Sequence, residues 1–600
     1  MKHISFLLLS LLLGWLVSAD PNYKELLNLQ PLNPASLLAS FNFRSNASLQ
    51  SYEQQHFKYI PRSLGQILQH AKTRELHLRF STGRWDDESW GARPWGGTKE
   101  GGTGVELWAW VEGDSDADSF ARWVTLNNAL SGLFCASLNF IDSTRSTRPR
   151  MTFEPTSSVF NASSENLYLL HGSLPREVVC TENLTPFLKL LPCKGKAGIA
   201  SLLDGHKLFD ASWQSMAIDA RSVCPEDGSE CSIEMEQTVD MVLDVDRSKR
   251  PRDNPIPRPI PSEHLQCDQS KPYAGDEACY PSDANLGQSW TIAEIFGRPI
   301  QGSCLAEDTY GQLRDSVCIN VPHEREVNPH GDAVETKNEA GTSRCFAIPA
   351  SNPFELVLSH IGPQTFNNVS QPPLYASRSF TGHGQERGGV QTLLTNPSTI
   401  SSIEFVYFET LPWFMKPYLH TLTARLTTAS TTSPDIIKET FYRPALDRRR
   451  GTQLELLISV PADSAVILTY DFDKAILRYT EYPPDANRGF DVAPAVIRLL
   501  PSSGNSSSNS QAPLYIRTSS LLLPLPTPDF SMPYNVIILT STVMALAFGM
   551  IFNLLVRRFV GADEVEGWNL AALKAKARGR VAVLLDRVSG KGQKLEKKVQ

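Results

Sequence analysis

Ten cysteines are the side chains best placed to carry covalent chemistry: Cys135, Cys180, Cys193, Cys224, Cys231, Cys267, Cys279, Cys304, Cys318 and Cys345. Two of them lie thirteen positions apart in VVCTENLTPFLKLLPC, Val178 to Cys193, around the glycosylation sequon Asn183-Leu184-Thr185. Their thiols have three chemical options: an internal staple, a redox pair, or a bond to another chain. No Cys-x-x-Cys occurs, which argues against a thioredoxin-like exchanger. Close spacing makes Cys224–Cys231, Cys267–Cys279 and Cys304–Cys318 natural internal pairs, with Cys180–Cys193 as an internal alternative for the quoted stretch.

Other constellations are poor. There is no Gly-x-Ser-x-Gly elbow, no His-Glu-x-x-His and no phosphate-binding loop. Cys135, in LSGLFCASLNFID, has His171 and Asp142 available in sequence, but it ends an apolar helical face, where a buried structural thiol is expected. The glycine-rich segment 381–389 lacks dinucleotide-binding spacing and reads as a surface turn. His323 and His330 flank Glu324 without metal-ligand spacing. The expectation is therefore no catalytic residue, no metal and no cofactor. With a net charge of −7, no nucleic-acid partner is expected either.

The compartment decides what the thiols do. Residues 1–19 read as a signal peptide: Lys2 and His3, an apolar run from Ile4 to Val17, then Val17-Ser18-Ala19. Sequons at Asn46, Asn161, Asn183, Asn368 and Asn505 agree with an oxidising lumen, with Asn183 the least secure. Residues 534–556, YNVIILTSTVMALAFGMIFNLLV, hold no charge over 23 residues and are long enough to span a bilayer. Arg557 and Arg558 follow and place residues 557–600 in the cytosol. That tail carries 11 Lys/Arg against 5 Asp/Glu and ends Lys597-Lys598-Val599-Gln600, which resembles a dilysine signal for retrieval to the endoplasmic reticulum. The expected address is the endoplasmic reticulum membrane, with most of the chain lumenal.

Strand signals dominate the lumenal part. Leu76, Leu78 and Phe80 alternate with His77, Arg79 and Ser81, and VELWAWV, SIEFVYFETL, LHTLTARL, QLELLISV and SAVILTYDF follow in the same style. Pro461-Ala462-Asp463 between the last two predicts a hairpin. Helices are expected over RSLGQILQHA and from Asp116 to Phe134, the latter capped by Ser115 with Phe120, Trp123, Leu130 and Phe134 on one side. The expected organisation is a mixed α/β domain over 20–246, a Pro/basic linker over 247–263, a mainly antiparallel β region over 264–533, the span, and the tail.

Several long blocks resemble the PIG-T family, the lumenal single-span subunits of the glycosylphosphatidylinositol (GPI) transamidase. They are IPRSLGQIL with ELHLRFSTGRW, LSGLFCASLNFID, LPREVVCTENLTPFLKLLPCKGKAG with LLDGHKLF, FVYFETLPWFMKPYLHTL, and PTPDFSMPYNVI. The resemblance implies a non-catalytic subunit rich in β-sandwich structure. Such a subunit holds a caspase-like cysteine protease subunit and multispan subunits together while a GPI lipid is joined to a precursor's C-terminus. It also implies a disulfide to the catalytic subunit, at the position matched by Cys180, with Cys193 as fallback. Two readings from other classes stand beside it: a lumenal thiol enzyme or hydrolase using Cys135, and a cargo receptor or chaperone.

Overall fold

The computed structural model describes residues 23–32, 35–157, 166–224, 230–249, 265–267, 279–281, 289–304, 315–330, 333–338, 342–349, 352–359, 370–382, 384–427, 436–483, 485–501, 513–526, 531–557 and 570–588. Residues 1–19, Asn161, Asn368, Asn505, Lys597 and Lys598 lie outside them, as does most of the 247–263 segment. The chain forms two units, Met1–Pro526 and Thr527–Gln600.

The first unit is mostly β, as its alternating patterns predict. Strands β1 (Tyr23–Leu32), β2 (Ser36–Ser48), β3 (Thr73–Gly83), β4 (Gly104–Glu112), β5 (Ser146–Thr147), β6 (Leu167–Leu174), β7 (Trp213–Val223) and β8 (Ser232–Asp244) supply most of an 11-stranded sheet. Its order is Glu335–Lys337, Ser343–Ala347, Ser316–Asn320, β1, β2, β8, β7, β3, β4, β6, β5. Neighbours are antiparallel except β1 and Ser316–Asn320, which run parallel with Leu26 beside Ser316. Three edge strands thus come from beyond residue 300.

Helices cover one face of this sheet. Leu76, Leu78 and Phe80 point into that layer against Leu64 and Leu68 of the helix Arg62–His70 and Trp123, Leu130 and Phe134 of the helix Asp116–Phe134. Ser115 caps the second helix by accepting from the Asp118 N–H at 3.2 Å, and Asp116 and Asp118 favour its positive N-terminal end.

The β-rich second half folds as a sandwich. One sheet is ordered Tyr375–Thr381, Arg387–Asn396, Ser464–Lys474, Met415–Leu426. The other runs Ile437–Arg443, Thr452–Val460, Ile403–Leu411, Val496–Leu499, Leu514–Arg517. Tyr407, Leu456, Ile458, Leu468 and Ile497 fill the core between them. The hairpin expected at Pro461–Asp463 is not formed. Thr452–Val460 and Ser464–Lys474 belong to opposite sheets, so the connection crosses the core. Ser464–Lys474 buries alternate residues and Thr452–Val460 does so only from Leu456 onward, and alternation specifies a buried face without specifying a pairing partner. Asn396 holds the crossing by donating from Nδ2 to the carbonyls of Val460 (3.3 Å) and Pro461 (2.9 Å).

The far face of the large sheet is also buried, including its polar residues. His77, Arg79 and Ser81 are each at most 5% exposed. The His77 ring bonds Asp219 at 2.5 Å through Nδ1 and Glu75 at 2.6 Å through Nε2, while Arg79 and Lys99 also reach Asp219. Residues 148–157 lie between this face and the five-stranded sheet. On one side Glu75 accepts from the Thr156 and Ser157 amides at 2.9 and 3.0 Å. On the other, Glu455 accepts from the amides of Arg150, Met151 and Thr152 at 2.8, 2.8 and 3.1 Å. Arg517 crosses directly to Glu106, Nε to Oε2 at 2.8 Å, and Trp108, Phe153, Phe408 and Tyr515 pack around the pair. Gly97 is required there: its φ is +72°, and a Cβ would lie 1.9 Å from the Tyr515 carbonyl oxygen.

The second unit has a helix Ser531–Val556, of which Tyr534–Val556 is long and apolar enough to cross a membrane, with mean hydropathy 2.0 over its best window. Thr540 and Thr542 return their hydroxyl protons to the carbonyls of Val536 and Ile538, so neither needs a partner in lipid. A helix Leu570–Val588 follows.

Burial alone would push the Glu106 carboxyl up, but Arg517 and His171 outweigh it and hold it below the ordinary carboxylate range. Burial likewise opposes the charge on Asp219, and Arg79, Lys99 and His77 overcome it. Folded-state values below the unfolded ones give stability that is complete above about pH 5 and is lost as pH falls toward the folded values. Glu106→Gln leaves the Arg517 guanidinium buried without its charge partner. It is expected to cost about 3–5 kcal/mol in denaturant unfolding followed by tryptophan fluorescence, and to flatten the acid limb of the stability profile.

Candidate functional site

Four disulfides use eight of the ten cysteines: Cys193–Cys304, Cys224–Cys231, Cys267–Cys279 and Cys318–Cys345. Cys304 does not pair with Cys318, contrary to the spacing argument. Ser316–Asn320 lies antiparallel to Ser343–Ala347 with Cys318 directly opposite Cys345, and the cross-strand register selects that partner. Cys304 instead meets Cys193, 111 residues earlier, with Cα atoms 5.8 Å apart. Cys193 is thereby committed inside the chain, which removes both the Cys180–Cys193 loop and Cys193 as a fallback tether.

Cys135 and Cys180 remain as free thiols. Cys135 is exposed, not buried: the helix Asp116–Phe134 ends on it in the left-handed region, φ 52°, which turns the residue out of the apolar face. Its sequence neighbours form no triad. His171 sits on the opposite face of the sheet, against Phe153 and Phe408 and 3.4 Å from Glu106. The Asp142 carboxylate is turned to the Thr144 amide and hydroxyl.

Cys180 is half-buried at the N-cap of the helix Thr181–Lys189. That helix forms because Leu184 and Phe187 face the core at i, i+3 spacing, and because Asn183 closes its first turn. Asn183 Oδ1 accepts from the Cys180 N–H at 2.9 Å, the return arm of a capping box. Its Nδ2 donates to the carbonyls of Phe134 (2.9 Å) and Cys135 (3.4 Å), at the C-terminal end of the other helix. One side chain, 2% exposed, thus satisfies an orphan donor of one helix and orphan acceptors of another. The same amide nitrogen is where a sequon would carry its glycan. Asn46, by contrast, lies half-buried in β2.

Beside Cys180 the exposed Val178 stands among the exposed polar residues Arg176, Thr181 and Glu182, and the segment is tied down. Val178 is 76% exposed and Phe140 62% exposed, while the Ser137 amide donates to Glu177 Oε1 at 2.7 Å, joining segments 134–145 and 173–180. The residue pattern missed these two exposures, because isolated exposed hydrophobic residues have no sequence period. The role of Asn183 was visible in part: a polar residue three positions after a helix-start position is a capping signal. Among the described residues, no group of three or more His, Cys, Asp or Glu could hold a metal ion.

Comparison with known proteins agrees across the length of the chain. The family model described as Gpi16 subunit, GPI transamidase component, matches residues 6–582. The GPI transamidase component GPI16 of Saccharomyces cerevisiae is 40% identical over 568 residues, covering 91% of this chain and 90% of that protein. The GPI transamidase component PIG-T homolog of Schizosaccharomyces pombe is 37% identical over 547 residues, covering 90% and 91%. The human GPI-anchor transamidase component PIGT is 33% identical over 604 residues, covering 94% and 96%. The chain belongs to the Gpi16 family of GPI transamidase components.

Proposed function

We propose that this subunit is the non-catalytic scaffold of a GPI transamidase in the endoplasmic reticulum membrane. It holds a caspase-like cysteine protease subunit and the multispan subunits together while a GPI lipid is transferred to the C-terminus of a precursor protein. Most of the chain is lumenal, Tyr534–Val556 spans the membrane, and the basic tail ending Lys597-Lys598 is cytosolic and serves retrieval. The observation that carries the reading is Cys180. It is a thiol left unbonded in a chain with four disulfides, it begins a helix beside the exposed Val178, and it lies in the block VVCTENLTP that resembles the family's tether. A covalent bond there raises the effective concentration of the partner without a large added interface.

On a non-reducing gel of the purified complex, a heavier band containing this chain is expected to collapse on reduction. Cys180→Ser should abolish that band and Cys135→Ser should leave it; a band that persists in Cys180→Ser overturns the assignment.

Mass spectrometry of the peptide containing Asn183 should find the asparagine unmodified, because its Nδ2 is spent on two carbonyls inside the protein. Asn183→Ala should cost about 1–3 kcal/mol through the unsatisfied groups it leaves. It should also lower the yield of the reducible band, since the Cys180 backbone loses its anchor.

A further inference from the structure

The helix Leu570–Val588 carries a charge pattern that water does not favour. The segment 567–585 holds Lys574, Lys576, Arg578 and Arg580 and no Asp or Glu. Lys574 and Arg578 are four positions apart, as are Lys576 and Arg580, so like charges sit on neighbouring turns. Such pairs destabilise an isolated helix, and Gly579 in its middle adds to the loss. Among the described residues, none of the four cations joins an ion pair. A helix of this composition needs a counter-charge from outside the chain.

The placement of these cations around the helix says what shape that counter-charge has. At about 100° per residue, positions 573, 577, 581, 584 and 588 fall within an arc of about 80°. They are occupied by Leu, Ala, Val, Leu and Val. Lys574 and Arg578 fall within about 60° of one edge of that arc, with Leu585 between them, and Arg580 and Lys576 within about 60° of the other. The far side holds Ala575, Gly579, Ala582 and Val583. Val581 and Leu585 are 55% and 61% exposed, so nothing in the chain covers the apolar arc there.

An apolar arc with cations on both borders selects its occupant. A second copy of the helix would bring cations against cations. A bilayer surface offers acyl chains to the arc and phosphates on both sides of it at one depth, which long Lys and Arg side chains reach by extending outward. Anionic lipids add an attraction for every cation held near the surface, and they relieve the like-charge pairs that water leaves unopposed. Leu570 follows Val556, the end of the apolar helix, by 14 residues, so the segment is held close to any membrane that helix crosses. We propose that the helix Leu570–Val588 lies along the cytosolic leaflet, with its apolar arc toward the acyl chains and its Lys and Arg on anionic lipid phosphates. This rests on the reading above that Tyr534–Val556 spans the membrane and the tail is cytosolic.

The test uses the whole complex in lipid nanodiscs, with a nitroxide carried on p-acetylphenylalanine so that Cys135 and Cys180 stay untouched. The label is placed singly at positions 577, 581, 575, 582 and 546. Collisions with oxygen, which concentrates among acyl chains, and with a water-soluble nickel chelate report the surroundings of each. In discs of phosphatidylcholine with about one-third phosphatidylserine, the oxygen-to-nickel ratio at 577 and 581 is expected to be about fivefold that at 575 and 582. Low access of both reagents at 577 and 581 means that protein covers the arc, and overturns the proposal. Equal, open access of the nickel chelate at all four positions means a solvated helix, and also overturns it. In phosphatidylcholine alone, or with Lys576→Glu and Arg580→Glu together, the contrast should fall at least about twofold. Lys576→Arg with Arg580→Lys should keep it, and no fall in the first two cases overturns the anionic contact. Position 546 separates this inference from the reading beneath it. A label at 546 open to the nickel chelate means the span is wrong. A label at 546 in lipid, with 581 and 575 alike, leaves the span standing and removes only the contact of the helix.

Discussion

Charge on the far face of the large sheet is the constraint around which the rest of the lumenal fold is arranged. Glu75, His77, Arg79, Glu106 and Asp219 lie on β3, β4 and β7, where solvent cannot reach them. A buried ion without a partner costs several kcal/mol, so these strands are viable only if something polar closes over them. Residues 148–157 and the strand Leu514–Arg517 do so, with Arg517 on Glu106 and the Thr156 and Ser157 amides on Glu75. The sandwich is therefore fixed to the large sheet by directional bonds and not by apolar area alone.

The disulfides follow a similar logic of distant closure. Cys318–Cys345 joins directly opposed residues of paired strands at the edge of the large sheet, and Cys193–Cys304 anchors the loop after Thr181–Lys189 to a segment 111 residues later. Long loops are those for which a covalent link removes the most unfolded-state freedom, in the chain-entropy view. These bonds also leave a chemically unambiguous surface. With eight thiols committed, only Cys135 and Cys180 can react with another protein, and they lie on either side of Asn183.

What could be read from the sequence was local. Period-two alternation identified β3 and the sandwich strands, and Ser115 with the apolar spacing after it identified the helix Asp116–Phe134, because each depends on neighbours a few residues away. The same alternation could not say that His77 and Arg79 are buried, since a polar face looks alike whether water or another polar layer covers it. Nor could it find that Ser316–Asn320 pairs in parallel with β1, or that Pro461–Asp463 crosses between sheets. Pairing partners are chosen by tertiary packing. Cysteine spacing failed for Cys304 for that reason, and the exposed turn of Cys135 was hidden by one left-handed residue at a helix end. The site itself was legible as a thiol in an unusual block, while the hold of Asn183 on the end of a helix 49 residues earlier was not.

The bond proposed at Cys180 would orient a partner as well as retain it. A disulfide leaves several rotatable bonds, so a thiol on a flexible loop would raise local concentration and fix little else. Here the residue is the N-cap of a helix, its amide donates to Asn183, and Asn183 is bound to the end of a second helix that packs on the large sheet. Motion of the sulfur relative to the sheet is thus reduced to the side chain's own torsions. Asn183 spends Nδ2 on the carbonyls of Phe134 and Cys135, and a glycan there would replace one of the two N–H protons that hold the helix ends together.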